Sequence, residues 1–247
     1  MKIKSISIKN FRSIKTCYNF ELSDINVLIG SNGVGKSNFI SFFTLLKNIA
    51  DLNLQDYIAE HSGANNLLYF GIETSEFISG KILFDNHNGY DIVLKPNNED
   101  GFYFSEEKAT FNTYEESTGT GHKESKLPYK VRNHKYIQGG VSGYVQKGLS
   151  DFEVYHFHDT SRKSPIKQPC NVDDNFYLKR NGSNLAAFLY LLKINNPISL
   201  KKIEATIRQI APFFDKFILE PNRLNTDQIK LEWKEIGSVP DSRSWNG

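Results

Sequence analysis

The sequence of 247 residues has little cysteine and no long apolar run. Cys17 and Cys170 are its only cysteines, and their wide separation argues against a disulfide framework or a zinc cage built on cysteines. No segment approaches the roughly 20 consecutive apolar residues that a membrane-spanning helix needs. The first ten residues alternate apolar and polar side chains, which indicates a strand and not a secretion signal. We therefore expect a cytoplasmic protein without a membrane partner.

The chain also lacks a strong excess of charge, since its formal net charge is +2. Its first 50 residues carry seven Lys or Arg and two acidic residues, whereas residues 51–100 carry two basic and nine acidic residues. This distribution does not indicate a continuous track for a polyanion. The basic side chains of Lys2, Lys4 and Lys9 could contact DNA or could form the solvated face of an edge strand.

The hydrophobic pattern predicts an α/β fold that opens with two strands joined by a turn near residues 10–13. A short apolar run at residues 26–29 is typical of a strand buried on both faces of a parallel or mixed sheet. Apolar residues cover most of the helix predicted over residues 36–50, so this helix should pack on several sides. Residues 77–115 predict a β-rich stretch that begins with a hairpin. Residues 115–148 are the least periodic and are predicted to form a mobile loop region with at most a short helix.

The last third of the chain is predicted to contain strands and two helices. The expected strands lie at residues 153–157, 217–219 and 228–233. One helix is expected over residues 184–193 with Ser183 as its N-cap, and the other over residues 200–210 behind Ser199.

The strongest motif is a glycine-rich loop between the predicted strand at residues 26–29 and the predicted helix that follows. The loop fits G-x-x-x-x-G-K-[ST] at every fixed position, with the residues Gly30, Ser31, Asn32, Gly33, Val34, Gly35, Lys36 and Ser37. Its glycines permit a tight turn, and the N–H groups at the start of the helix can bind a phosphate chain. Lys36 would reach the terminal phosphates, and the Ser37 hydroxyl would ligate Mg²⁺. The sequence therefore predicts that the chain binds ATP with Mg²⁺.

Two N-terminal segments together resemble a known group of ATPases. The segments IKNFRSI (residues 8–14) and INVLIGSNGVGKSN (residues 25–38) are similar to the N-terminal half of RecF/SMC-like ATPases of the ABC superfamily. Within this group the chain looks most like bacterial AAA-type ATP-binding proteins related to OLD-family ATPases. Three later segments also resemble that family, namely GTGHKESKL (119–127), VYHFHDTS (154–161) and NGSNLAAFLYLL (181–192).

This resemblance implies a fold, further site residues and a cellular role. The implied fold is a phosphate-loop ATPase of ABC/RecF-like type, with a mixed sheet and a β-rich N-terminal lobe. Asn38, which follows the motif, and Arg12, in the turn between the first two strands, would join the nucleotide site, although Arg12 could also be a surface arginine. The implied activity is ATP binding between two heads, coupled to DNA metabolism or to antiviral defence against phage.

The sequence departs from this family in its C-terminal part. The signature motif, the Asp-Glu pair at the end of an apolar strand and the switch histidine are not recognisable. We therefore interpret residues 1–238 as the N-terminal part of an ATPase domain that is incomplete at its C-terminus, and residues 239–247 as a non-matching tail. Such a chain should hydrolyse ATP poorly alone and should depend on a homodimer or a split-subunit partner, with DNA or a nuclease as further possible partners.

A group that would position the attacking water is not identified by sequence. His156, His158 and Asp159 could form a metal site, since His156 and His158 share one face of a predicted strand, but a third ligand is not identifiable. Alternatively, His158 and Asp159 could face the nucleotide or its magnesium, or form a structural hydrogen-bonded pair. Asp159 is the candidate catalytic residue besides Lys36. Many similar ATPases have a glutamine at a comparable strand end, and Gln138 is a weaker substitute for that residue. Two alternative functions stay open, a nucleotide-sensing module that regulates a partner nuclease or toxin, and a phosphate-loop kinase. A kinase lid would need arginines, and residues 115–148 offer Arg132 alone.

Overall fold

The computed structural model describes residues 1–132, 139–155, 157, 161 and 163–237. The chain divides into two compact units, Met1–Val154 and Tyr155–Gly247. In this described part, none of the helices has the length and apolar character needed to cross a bilayer. The assignment of residues 1–238 to one ATPase domain, with a tail at residues 239–247, stays a prediction.

The first unit contains a six-stranded sheet and five helices among its described residues. Its strands are β1 (Ile3–Phe11), β2 (Ile14–Glu21), β3 (Ile78–Phe84), β4 (Asn88–Pro96), β5 (Phe102–Phe111) and β6 (Tyr114–Ser117). Its helices are α1 (Lys36–Ala50), α2 (Leu54–Glu60), α3 (Ala64–Leu67), α4 (Leu127–Arg132) and α5 (Gly140–Ser150).

The sheet has the strand order β2-β1-β3-β4-β5-β6, and every neighbouring pair is antiparallel. The expectation of a parallel or mixed sheet is therefore wrong for the described part of the chain. Short turns explain four of the five pairs, because they join β1 to β2 and then β3 through β6 as hairpins, whereas a parallel pair requires a long crossover. The fifth pair, β1 with β3, is antiparallel although a long connection separates β2 from β3. The predicted opening pair of strands, the hairpin and the β-rich stretch up to residue 115 are confirmed.

Helix α1 packs on this sheet and supplies much of the core of the first unit. Phe42 is fully buried and meets the ring of Phe11 edge to face, with the ring centroids 5.2 Å apart. Gly80 of β3 permits this close packing, because a Cβ atom there would lie 2.5 Å from Cζ of Phe42. The observed helix has the predicted bounds, residues 36–50, and buries Leu45, Leu46 and Ile49 in the same cluster.

The segment before the glycine loop is the main departure from the predicted fold. Residues 26–29 form no strand, and none of the six strands of the described sheet pairs with them. The side chains of Ile25, Val27 and Ile29 are 83%, 74% and 89% exposed. The prediction of a buried strand is therefore wrong here. Its physical reason is that a strand needs a neighbour for its backbone groups, and residues 26–29 pair neither with β1, which has β2 and β3 on its two sides, nor with the outer edge of β2.

Residues 115–148 are more regular than expected. Strand β6 and helices α4 and α5 lie in the described part of this range, so the prediction of a loop with at most one short helix is wrong, while its mobility stays a prediction. Helix α5 buries Val145 and Leu149 in the core. A strand at residues 153–157 is also not found, since residues 153–155 and 157 are irregular and residue 156 lies outside the described residues.

The second unit contains two helices and two small two-stranded sheets in the residues that the structure describes. Its elements are β7 (Cys170–Asn171), α6 (Leu185–Asn195), α7 (Pro197–Ile210), β8 (Phe214–Ile218), β9 (Gln228–Ile229) and β10 (Glu232–Glu235), with a 3-10 helix at Pro165–Lys167. The sheets pair β8 with β10 and β7 with β9, both antiparallel. Both predicted helices are present, but their N-caps are Asn184 and Asn196 and not Ser183 and Ser199.

Candidate functional site

The glycine loop, residues 30–37, leads into the N-terminus of α1. Gly33 has a φ of 82°, and Gly35, the N-cap of α1, has a φ of 104°. Other residue types rarely adopt this left-handed region, so both positions favour glycine strongly. Helical hydrogen bonding begins where the N–H of Phe39 donates to the Gly35 carbonyl at 2.8 Å. The three N–H groups before Phe39 lie at the positive end of the helix dipole, which is an arrangement that binds anions.

Lys36 and Ser37 occupy the first turn of α1, as the motif predicts. The Lys36 ammonium donates to the carbonyls of Gly30 and Ser31, both at 2.7 Å, so it lies over the beginning of the loop. Ser37 is exposed, and its carbonyl accepts a hydrogen bond from the Ser41 hydroxyl at 2.8 Å. The other loop side chains, Ser31, Asn32 and Val34, are exposed.

The turn between β1 and β2 lies against this helix end. The Ser13 hydroxyl accepts a hydrogen bond from the Asn38 amide at 2.7 Å. Arg12 has a φ of 50°, and its guanidinium donates to the Ser41 hydroxyl at 3.4 Å, one helical turn beyond Ser37. The structure thus brings Arg12 and Asn38 next to the start of α1.

Arg12 also influences a buried tyrosine. Tyr57 of α2 is 2% exposed, and burial raises the pKa of its hydroxyl. The nearby positive charge of Arg12 acts in the opposite direction, because it favours the phenolate. The Arg12 guanidinium therefore lies between the site and the core, with one neighbour on α1 and another on α2.

Sequence reasoning missed one polar cluster, which is built around the buried carboxylate of Glu107 in β5. Its side-chain oxygens accept hydrogen bonds from five groups, the hydroxyls of Tyr90, Thr118 and Ser125, the Nε2 of His122 and the backbone N–H of Lys126. Burial alone would raise the pKa of Glu107, but the bonds from His122, Ser125, Thr118 and Lys126 outweigh it and lower the pKa. The donors from 118 to 126 overlap the segment GTGHKESKL, and this overlap is the signal that could have found the cluster.

Two of the family-like segments therefore have structural roles. Glu124 accepts the N–H groups of Leu54 and Gln55 at 3.0 and 2.9 Å, which caps the start of α2. In the segment NGSNLAAFLYLL, the buried Asn184 accepts the N–H of Lys179 and donates to the carbonyls of Asp174 and Tyr177. Both contacts fix loops to helices and do not form a catalytic group.

Several predicted site residues lie outside the described residues, namely Gln138, His156, His158 and Asp159. For the residues that the structure does describe, no group of three or more His, Cys, Asp or Glu side chains is close enough together to hold a metal ion. The catalytic assignment of Asp159 thus stays a prediction.

Comparison with known proteins bears on most of the chain. A family model described as AAA ATPase domain matches residues 1–210. An ATP/GTP phosphatase of Helicobacter pylori is 28% identical over 102 residues, which correspond to 38% of this chain. The aligned part spans 28% of the length of that relative.

Proposed function

The chain belongs to the AAA ATPase domain family, and on this basis we propose that it binds Mg·ATP in the glycine loop. The observation that carries the proposal is the helix N-terminus behind Gly35, whose N–H groups precede the first helical hydrogen bond. A phosphate chain offers the negative oxygens that these donors require. Gly33 supports close approach, because no atom lies within 4 Å of the position that a Cβ would take there.

Three side chains have distinct roles in this proposal. Lys36 exchanges its two carbonyl partners in the loop for the terminal phosphates, where a charge-assisted hydrogen bond is stronger. Ser37 provides a hydroxyl ligand for Mg²⁺, which supplies charge neutralisation at the phosphates when it is bound. Arg12 adds a positive charge beside the site from the β1–β2 turn.

We further propose that the chain is an ATPase head of RecF/OLD-like type with a role in DNA metabolism or phage defence. The similarity to the H. pylori ATP/GTP phosphatase supports nucleotide hydrolysis as the activity. Transition-state stabilisation needs a group that orients water besides the phosphate-binding loop, and Lys36 and Ser37 supply only the binding part. The isolated chain should therefore turn over ATP slowly.

A second copy or a separate subunit would complete the site. This partner proposal is supported by the exposed apolar side chains at residues 25–29 and by a neighbouring groove of about 600 Å³. The groove is lined by apolar side chains that include Leu22, Leu28, Phe39 and Phe43. Burial of this surface against another strand would satisfy both the side chains and the unpaired backbone.

Isothermal titration with ATP and Mg²⁺ tests the binding proposal. Lys36→Ala should weaken ATP binding by at least about tenfold, because it removes a charged hydrogen bond to phosphate. Lys15→Ala, at an exposed position of β2, is the matched control and should bind as the wild type does. Equal affinities for Lys36→Ala and wild type, with both proteins folded, would refute the site.

A steady-state measurement of ATP hydrolysis tests the proposal that the isolated chain turns over ATP slowly. Loss of one charge-stabilising group commonly costs about a hundredfold or more in rate, so the isolated chain should show very slow turnover despite binding. Robust hydrolysis that disappears in Lys36→Ala would contradict this expectation and would make Asp159 the first residue to test. Binding without turnover in the presence of cellular partners would instead favour the nucleotide-sensing module.

A further inference from the structure

Two side-chain hydrogen bonds join the β1–β2 turn to helix α1, one from Arg12 to Ser41 and a shorter one from Asn38 to Ser13. Asn38 Nδ2 donates to Ser13 Oγ at 2.7 Å, across 25 residues of sequence. The same hydroxyl lies next to Gly35, since a Cβ atom on Gly35 would be 3.1 Å from Ser13 Oγ. Ser13 therefore contacts both the N-cap and the third residue of α1.

This bond is exposed, and an exposed neutral hydrogen bond contributes little to folding. The turn is already held by backbone contacts, because the N–H of Arg12 donates to the Leu67 carbonyl at 2.8 Å. The bond acts instead on the position of the β1–β2 turn. It connects the turn to the helix end whose N–H groups would receive phosphate, and residues that hold a site close to its productive geometry act strongly on binding.

We propose that the Ser13–Asn38 bond is a positioning contact of the nucleotide site, which sets the place of the Arg12 charge relative to the bound phosphates. The inference rests on the proposed function. It also reassigns Asn38, whose amide is directed to Ser13 and holds the turn instead of contacting nucleotide. Since Ser13 accepts in this bond, its own O–H remains a donor.

The expected result is a loss of nucleotide affinity without a loss of stability. Ser13→Ala and Asn38→Ala should each weaken ATP binding about threefold to tenfold, and the double variant should be no weaker than either single variant. Ser13→Thr keeps the hydroxyl and should restore binding. Ser23→Ala, an exposed serine outside the loop, is the matched control.

A comparison of ATP with AMP separates positioning from general damage. If the bond places the Arg12 charge near the terminal phosphates, the variants should lose affinity for ATP and keep that for AMP. Additive effects in the double variant, or unchanged ATP affinity in a protein whose Lys36→Ala variant does lose binding, would overturn the inference. Unchanged affinity in Lys36→Ala itself would remove the nucleotide site, and the inference with it.

Discussion

Removing the Glu107 carboxylate should destabilise the first unit by about 4 kcal/mol, because it leaves a buried set of donors without an acceptor. Glu107 is fully buried and accepts hydrogen bonds from three hydroxyls, one imidazole and one backbone N–H. In Glu107→Ala, Thr118 keeps the backbone carbonyl of residue 107 as a partner, whereas the other four donors lose the carboxylate that accepted from them. For a unit of this size the loss corresponds to a fall of roughly 10 °C in Tm.

Glu107→Gln removes the charge of the side chain but keeps its shape, so it separates their contributions to stability. One amide atom remains an oxygen and can accept from Thr118, His122 and the N–H of Lys126. The NH₂ group then faces the hydroxyls of Tyr90 and Ser125, which can accept as well as donate. We therefore expect Gln to cost about 2 kcal/mol, roughly half the loss in Ala.

Chemical denaturation across pH tests the charge directly. The pKa of Glu107 is lowered in the folded chain from its ordinary value of 4.5, so the carboxylate stabilises the fold above that value. This contribution disappears as the pH falls from about 4.5 through the lower folded pKa. Glu107→Gln should lack this part of the acid dependence, since an amide does not titrate there.

The neighbouring Glu106 provides the matched control. It lies on the same strand, its side chain is 43% exposed, and it pairs with Lys108 at 3.0 Å. Exposed ion pairs contribute little, so Glu106→Ala should unfold at nearly the same denaturant concentration as wild type. If Glu107→Ala were as stable as Glu106→Ala, the reasoning about the buried cluster would be wrong.

Three further substitutions test the packing and the caps by denaturant unfolding. Gly80→Ala should cost about 1–3 kcal/mol, because its methyl group would overlap the Phe42 ring, and an unchanged midpoint would contradict the close packing of α1. Glu124→Gln should cost about 1 kcal/mol through weaker capping of α2, and a gain in stability would contradict the cap. Asn184→Ala should destabilise the second unit by about 2–3 kcal/mol, since it leaves buried loop groups unpaired, and an unaltered transition of that unit would contradict this role.

The local sequence pattern was sufficient to predict elements that have a strong periodicity or clear turn residues of their own. Helix α1 was predicted over residues 36–50 and has these bounds, because its apolar residues are dense and the glycine loop marks its start. The hairpin of β3 and β4 was also predicted, since the residues between the strands are turn formers. The fixed positions of the motif likewise predicted the turn and the helix around Gly35, but not the absence of a strand before them.

Tertiary packing decided the elements that local pattern missed. Helix α5 contains Gly140, Gly143 and Gly148, which lower helix propensity and led to the loop prediction. Gly148 is closely packed, since a Cβ there would lie 2.0 Å from Cε of Met1 and 3.0 Å from Cζ of Phe84. Glu107 was likewise missed because its partners lie up to 19 residues away, at a distance in sequence that no periodicity records.

The segment at residues 25–29 shows that apolar side chains alone are not sufficient to form a strand. The sequence pattern correctly identified an apolar segment ahead of the glycine loop, but a strand also needs the backbone donors and acceptors of a neighbour. In the described sheet β1 has β2 and β3 on its two sides, and residues 25–29 pair with none of the six strands. Exposed Ile25, Val27 and Ile29 therefore stand beside the phosphate-binding turn with their apolar surface uncovered. Because this segment enters the loop directly, a partner strand that pairs with it would also fix the position of Gly30, and this links the proposed assembly to the proposed nucleotide site.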